Sequence, residues 1–237
     1  MKYFFLIILA VLGAGCAKSP QIEFTGTATG INAGTFMIKD QYDTVVCKAD
    51  IKNGAFKVSR EFNKQGFYSL QITRPGSGTL GFVVYLEPGK YTITTNRDKP
   101  SQYPDIRSAS SVQNELNAYY HAYEQVKDEL QANVQRVADK IIADKAKSLP
   151  LDKELALKLE AAENQQLKIA PIALGRFIDK YPDNHIAIRM MLLGNSYTMD
   201  PEAYYQDFQK LNDKTKNSPG GVQLLKYINN LRHPVGK

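Results

Sequence analysis

The sequence predicts an α+β protein in which an N-terminal antiparallel β-sandwich of about seven strands precedes a long helical hairpin and short C-terminal helices. Apolar and polar residues alternate over residues 21–96, and turn residues interrupt the alternation about every eight to twelve positions, as in a sandwich or barrel. From Val112 onward, apolar residues recur at spacings of three and four, which is the helical period. Residues 96–111 contain Pro100 and Pro104 and show no hydrophobic periodicity, which indicates a domain boundary. We therefore predict a β-domain over residues 22–108 and a helical domain over residues 110–237.

The first sixteen residues predict a signal peptide and a lipid anchor. Lys2 precedes an uncharged run, residues 3–15, that is shorter than the roughly 20 residues a helix needs to cross a bilayer. The run ends in Leu12-Gly13-Ala14-Gly15-Cys16, which resembles a bacterial lipobox although Gly13 stands where leucine is commoner. That resemblance implies a signal peptide 1–15, acylation of Cys16 and a lipidated tether 16–21. An ordinary secretory signal with an incidental cysteine is the alternative interpretation.

Acylation of Cys16 implies attachment to the cell envelope, because two acyl chains are enough for stable anchoring. Position 17 is not aspartate and no acidic run follows the cysteine. By analogy with bacterial lipoprotein sorting, this favours the outer membrane with the protein facing the periplasm. The net charge is +6, but a protein in the cell envelope is expected to encounter lipid, glycan and other proteins rather than nucleic acid. Its excess of basic residues is scattered over the first half of the chain and forms no run.

The clearest local prediction is a β-hairpin at Asn53-Gly54, because these residues tolerate the positive φ angles of a type I′ turn. A second turn is predicted at Pro88-Gly89. The predicted strands are centred on Ile22 and Phe24, Phe36 and Ile38, residues 45–51, Phe56 and Val58, Tyr68 to Ile72, residues 82–86, and Tyr91 to Thr95.

One long helix is predicted from Ser110, which forms a capping box with Gln113, to near Leu149-Pro150. A second helix begins after Asp152 and runs toward Ile169, and Pro171 either kinks it or starts a new helix. The two form a hairpin whose apolar seam must be buried against itself or a partner. Shorter helices are predicted before Pro182-Asp183-Asn184, over residues 186–193, and after the Asp200-Pro201 and Ser218-Pro219 pairs, which place proline at the first helical position.

No combination of residues predicts a catalytic centre, a metal site or a cofactor. His121, His185 and His233 are too far apart for any metal-binding motif, and neither a GxSxG elbow nor a glycine-rich phosphate loop occurs. With Cys16 acylated, Cys47 is the remaining thiol, so no intramolecular disulfide or CxxC pair can form. In residues 45–51, Cys47 belongs to the apolar set Val45, Cys47, Ala49 and Ile51, which alternates with Val46, Lys48 and Asp50. This alternation predicts an inert, buried thiol rather than a reactive one.

The chain resembles the N-terminal region of bacterial envelope lipoproteins in which a β-domain of unknown function precedes a thioredoxin-like domain of the AhpC/TSA or TlpA type. The resemblance lies in IEFTGTATG, KADIKNGAFKVSREF, GFYSLQI, GFVVYLEPGKYTIT and RFIDKYPDNHIAIRMMLL, in that order. It covers roughly residues 21–237, and its motifs are structural. His233-Pro234-Val235-Gly236-Lys237 is similar to the segment that introduces the redox domain in those relatives, and that domain is missing here.

We therefore expect a non-enzymatic, lipid-anchored binding or scaffolding module, the accessory half of a thiol-disulfide oxidoreductase without its catalytic domain. A protein partner is expected in the envelope, and the exposed side of the hairpin, residues 112–169, is its expected contact surface. One alternative is a component of an oxidoreductase whose thioredoxin domain is separate or lost. Another is a glycan-binding accessory lipoprotein that stacks sugars on Tyr119, Tyr120 and Tyr123, although their spacing is more typical of helix packing.

Overall fold

The α+β class is confirmed in a computed structural model that describes residues 19–76, 78–95, 98–99, 101–146, 153–166, 168–193 and 200–233. Eight strands precede the helices. They are β1 (Gln21–Ala28), β2 (Ala33–Lys39), β3 (Val45–Lys52), β4 (Ala55–Glu61), β5 (Gly66–Arg74), β6 (Gly78–Leu86), β7 (Gly89–Thr95) and β8 (Asp105–Ser108).

The predicted two-sheet sandwich of seven antiparallel strands is not confirmed. All eight strands form one curled, mixed sheet in the order β6-β5-β2-β3-β4-β1-β7-β8, and β1 runs parallel to β7. Alternation predicts which face of a strand is buried, but a sandwich and a curled sheet produce the same alternation. Strand β8 was not predicted, because Ile106 is the single apolar residue among its four residues and no alternation can be recognised after the proline-containing segment.

The sheet curls at the hairpin between β3 and β4. Asn53 and Gly54 have φ angles of 49° and 77°, which confirms the predicted positive-φ turn. Beyond the Lys52–Ala55 pair the two strands, both fully described, have no further ladder pairing. The four strands on either side of this point therefore face each other, and the Phe36 ring lies 5.3 Å from Phe24 and 4.3 Å from Phe56 across the interior.

Seven helices follow in the described part of the chain. They are α1 (Ser111–Ala146), α2 (Lys153–Gln166), α3 (Ile169–Lys180), α4 (His185–Leu193), α5 (Pro201–Lys210), α6 (Asp213–Lys216) and α7 (Pro219–Arg232). Pro171 lies in the first turn of α3, so it belongs to the start of a new helix and does not kink α2. Asp200 and Ser218 cap α5 and α7 through the backbone N–H groups of Ala203 and Gly221, as predicted. None of these helices is long and apolar enough to cross a membrane.

Only one of the two hydrogen bonds of the predicted capping box of α1 forms. The Gln113 side chain, which would make the second, joins the helices to the sheet instead. The Gln113 backbone N–H donates to Ser110 Oγ at 3.3 Å, as a capping box requires. The Gln113 side chain does not return to Ser110. Its Oε1 instead accepts from the Tyr85 backbone N–H of β6 at 2.7 Å, and its Nε2 donates to the Tyr103 hydroxyl at 3.1 Å. Gln113 is fully buried, so this network connects α1 to β6 inside the molecule.

Adjacent glycines at the start of α7 provide a matched test of packing. A methyl group on Gly221 would collide with the backbone oxygens of Thr215 and Lys216, whereas one on Gly220 would meet Ile188 at an ordinary 3.4 Å. We expect Gly221→Ala to lower the free energy of unfolding by about 2 kcal/mol because backbone must shift. Gly220→Ala should leave it unchanged or raise it slightly. Urea denaturation of both variants measures the difference, and equal stabilities would contradict the close approach of α6 to α7.

Candidate functional site

The structure leaves the predicted lipidation site untested. Cys16, with the signal peptide 1–15 and the first half of the predicted tether, residues 16–18, lies outside the described residues. The first described residues, Ser19 and Pro20, lead directly into β1. Acylation of Cys16 therefore stays a prediction.

Cys47 is 1% exposed and lies in β3 on the inner face of the sheet, opposite Ile38 of β2. Burial raises the pKa of its thiol, and the neighbouring Arg60 only partly opposes that rise. A thiol with a raised pKa holds less thiolate at neutral pH, and the thiolate is the nucleophile. Cys47 therefore has neither the exposure nor the ionisation that thiol exchange requires.

We expect native Cys47 to react with a thiol reagent at least about 100-fold more slowly than the denatured protein, because access requires opening of the sheet. The measurement is alkylation followed by mass spectrometry in a Cys16→Ser background. Lys48→Cys combined with Cys47→Ser provides the control, because Lys48 is the exposed neighbour on the same strand. Similar native rates at positions 47 and 48 would show that the strand register is wrong.

The two histidine side chains that the structure describes lie on different helices. His121 lies exposed on α1 and His233 is the exposed C-cap of α7, while the side chain of His185 is outside the described part. Within the described residues, no group of three or more His, Cys, Asp or Glu side chains is arranged to hold a metal ion. His121 lies instead along a groove of about 440 Å³ between α1 and α3. Arg176 in this groove is already paired with both oxygens of Glu129, at 3.1 and 2.8 Å.

The tyrosines considered for sugar stacking pack against other rings. Tyr120 stacks on Tyr103 with ring centroids 4.0 Å apart, and Tyr119 meets Phe177 edge to face at 5.8 Å. Burial raises the pKa of Tyr120 to about 12 and raises that of Tyr119 further. Tyr123 is half-buried and tilted against Tyr119. Tyr119 therefore packs between helices, as the spacing favoured, whereas Tyr120 packs against the segment before β8.

The outer part of the helical hairpin exposes apolar side chains. We call residues 127–145 of α1 and 153–165 of α2 the distal hairpin, in which Leu155 and Ala162 alone among the described residues are buried. Ile142 and Leu157 are each 64% exposed. Charges of both signs are interspersed along it. These two exposed apolar side chains, set among charges of both signs, suit a protein contact better than a nucleic acid.

A cleft that sequence reasoning missed opens where β3 and β4 diverge. We call this end of the sheet the open end; it is formed by the β2–β3 turn, residues 40–44, and the β4–β5 loop, residues 62–65. The cleft has a volume of about 480 Å³ and is lined by both segments together with the adjoining strand ends. The two loops are recognisable in the sequence as polar segments. No local sequence pattern predicts that β3 and β4, which lie between them in the chain, separate.

No family model, curated protein or solved structure matches this chain. Inference about function therefore rests on the geometry of the distal hairpin, the open end and the buried thiol.

Proposed function

We propose that this chain is a non-enzymatic envelope protein, lipid-anchored through Cys16, that acts as a binding or scaffolding module for another protein. Its place is the outer membrane, facing the periplasm. Its role is that of an accessory module of a thiol-disulfide oxidoreductase. The observation that carries the proposal is the exposure of Ile142 and Leu157 on the distal hairpin.

Burial of these two side chains provides a reason for association. Removing a large aliphatic side chain from water contributes about 1.5–3 kcal/mol, and both side chains remain mostly in water here. The surrounding charges, such as the Lys158–Glu154 pair on α2, supply the polar rim that protein interfaces usually have. A partner that covers the distal hairpin would gain this apolar area without any rearrangement of the sheet.

The thiol chemistry supports a non-enzymatic role. Exchange requires an accessible thiolate and usually a resolving second thiol. Cys47, the free cysteine among the described residues, is buried and its pKa is raised. Glycan binding is less well supported, because two of the three tyrosines that it would use, Tyr120 and Tyr119, pack against Tyr103 and Phe177.

Site-specific photo-crosslinking in intact cells tests the proposal. A photoreactive amino acid replaces Leu157 in one variant and Val222 of α7, which is 58% exposed, in the matched control. We expect a discrete adduct from position 157 and none of comparable yield from position 222. Absence of an adduct at 157, or equal adducts at both positions, would contradict the proposed surface.

The identity of the crosslinked protein separates the two remaining interpretations. A partner with a thioredoxin-like CxxC domain would favour the alternative, in which this chain is one component of a divided oxidoreductase. A partner without redox residues would favour a scaffolding role. Insulin reduction by the purified chain above the level of a Cys47→Ser variant would contradict a non-enzymatic function altogether.

A further inference from the structure

The open end of the sheet carries a small apolar patch that the fold does not cover. Tyr42 is 80% exposed and Val45 is 46% exposed, and both line the cleft between β3 and β4. The remaining large apolar side chains that are exposed in the described chain lie on helices. Among the described residues of the sheet and its turns, the large exposed apolar side chains thus lie at one end.

The chain enters the fold at this same end. The Pro20 carbonyl accepts a hydrogen bond of 2.8 Å from the Phe62 backbone N–H, and Gln21 pairs with Glu61. Phe62 and Glu61 line the cleft together with Tyr42. The start of β1 is therefore held by backbone hydrogen bonds against the β4 side of the cleft, at the same end of the sheet as the patch.

The number of residues between Cys16 and this point limits how far the open end can be from an anchored lipid. Residues 17–20 span at most about 14 Å when fully extended. The opposite end of the sheet, at the Asn53-Gly54 turn, is about 25 Å further along β3, since an eight-residue strand rises roughly 3.3 Å per residue. An acylated Cys16 thus holds the open end, which carries Tyr42, closer to the membrane surface than the far turn.

The turn that carries Tyr42 is held in shape by its own hydrogen bonds. Both the Tyr42 and Thr44 backbone N–H groups donate to Asp40 Oδ1 at 2.9 Å, and Lys39 pairs with Asp43 at 2.9 Å. Tyr42 is therefore presented from an ordered turn, which lowers the entropic cost of inserting its ring.

Charge at the open end indicates which part of a membrane the patch fits. The cleft is lined by two acidic side chains, Asp40 and Glu61, and two basic ones, Arg60 and Lys64. This balance gives no net attraction to anionic lipid, whereas tyrosine is favoured at the boundary between headgroups and acyl chains of any phospholipid. We propose that Tyr42 and Val45 dock on the phospholipid surface to which Cys16 is anchored. This inference rests on the anchoring in the proposed function.

Fluorescence of a single tryptophan tests the proposal, because the chain contains none. The full chain carrying Tyr42→Trp is produced in bacteria with labelled palmitate, purified and reconstituted in phosphatidylcholine vesicles with brominated acyl chains. Ala55→Trp, at the exposed far turn of the same sheet, is the matched control. We expect blue-shifted emission and strong bromolipid quenching at position 42 and neither at position 55. Adding anionic lipid should change neither result.

The other outcomes overturn the proposal in distinguishable ways. A palmitate-labelled, vesicle-bound protein whose position 42 is unquenched, or is quenched no more than position 55, overturns the docking but leaves the anchoring intact. Missing label, with the protein failing to float with vesicles, overturns the anchoring at Cys16 and the docking together. A concentration-dependent blue shift at position 42 without vesicles would assign the patch to a second copy of the chain and so also overturn membrane docking.

Discussion

Replacing Phe36 by alanine should lower the free energy of unfolding by about 3–5 kcal/mol, a large part of the stability of an ordinary domain. The Phe36 side chain is fully buried in β2, and its ring contacts Phe24 of β1 and Phe56 of β4. Its removal leaves a cavity between the two halves of the curled sheet, where few ladder hydrogen bonds join β3 to β4. Thermal and urea denaturation followed by circular dichroism measure the loss.

Two controls distinguish cavity formation from a general effect of losing an aromatic ring. Phe36→Leu should cost less than half as much, because most of the buried volume remains. Tyr42→Ala removes a ring that is 80% exposed and should leave stability within about 0.5 kcal/mol of the unchanged protein. A Phe36→Ala protein that unfolds like the Tyr42→Ala protein would show that the halves do not pack on this ring.

Replacing Gln113 by alanine should lower the free energy of unfolding by about 3 kcal/mol, since it combines a cavity with lost buried hydrogen bonds. The Tyr85 backbone N–H loses its acceptor, and the Tyr103 hydroxyl loses a donor while keeping its own bond to the Val83 carbonyl. Amide hydrogen exchange at Tyr85 should accelerate more than at neighbouring strand residues, because its protection depends on the Gln113 side chain.

Gln131→Ala is the matched control, since Gln131 is an exposed glutamine on the same helix. It should change stability by less than about 0.5 kcal/mol. If both variants are equally stable, or if exchange at Tyr85 is unchanged in Gln113→Ala, the network does not join α1 to β6.

The local elements were predictable because their causes are local. Asn53-Gly54 encodes a positive-φ turn in two residues, and Asp200 and Ser218 encode helix starts with the proline that follows each of them. The burial of Cys47 followed from period-two alternation, which states directly which face of a strand is apolar.

The cleft and the interaction surfaces were harder to predict because they depend on what a segment does not contact. An exposed surface on the hairpin was expected because two projecting helices leave part of their apolar seam uncovered, yet the exposure of Ile142 and Leu157 in particular comes from the structure. Tyr42 lies in a turn, and nothing in the sequence of that turn predicts that β1 begins at the same end of the sheet.

The sequence by itself determined the α+β order, the faces of the strands and the caps of the helices, because neighbouring residues decide backbone angles and amphipathic periods. Only the tertiary structure decided that β1 pairs in parallel with β7, that β3 and β4 separate to open a cleft, and that Gln113 turns from its own helix cap to β6. Each of these depends on pairing between residues distant along the chain, where several arrangements bury the same apolar face and differ only in which backbone groups meet.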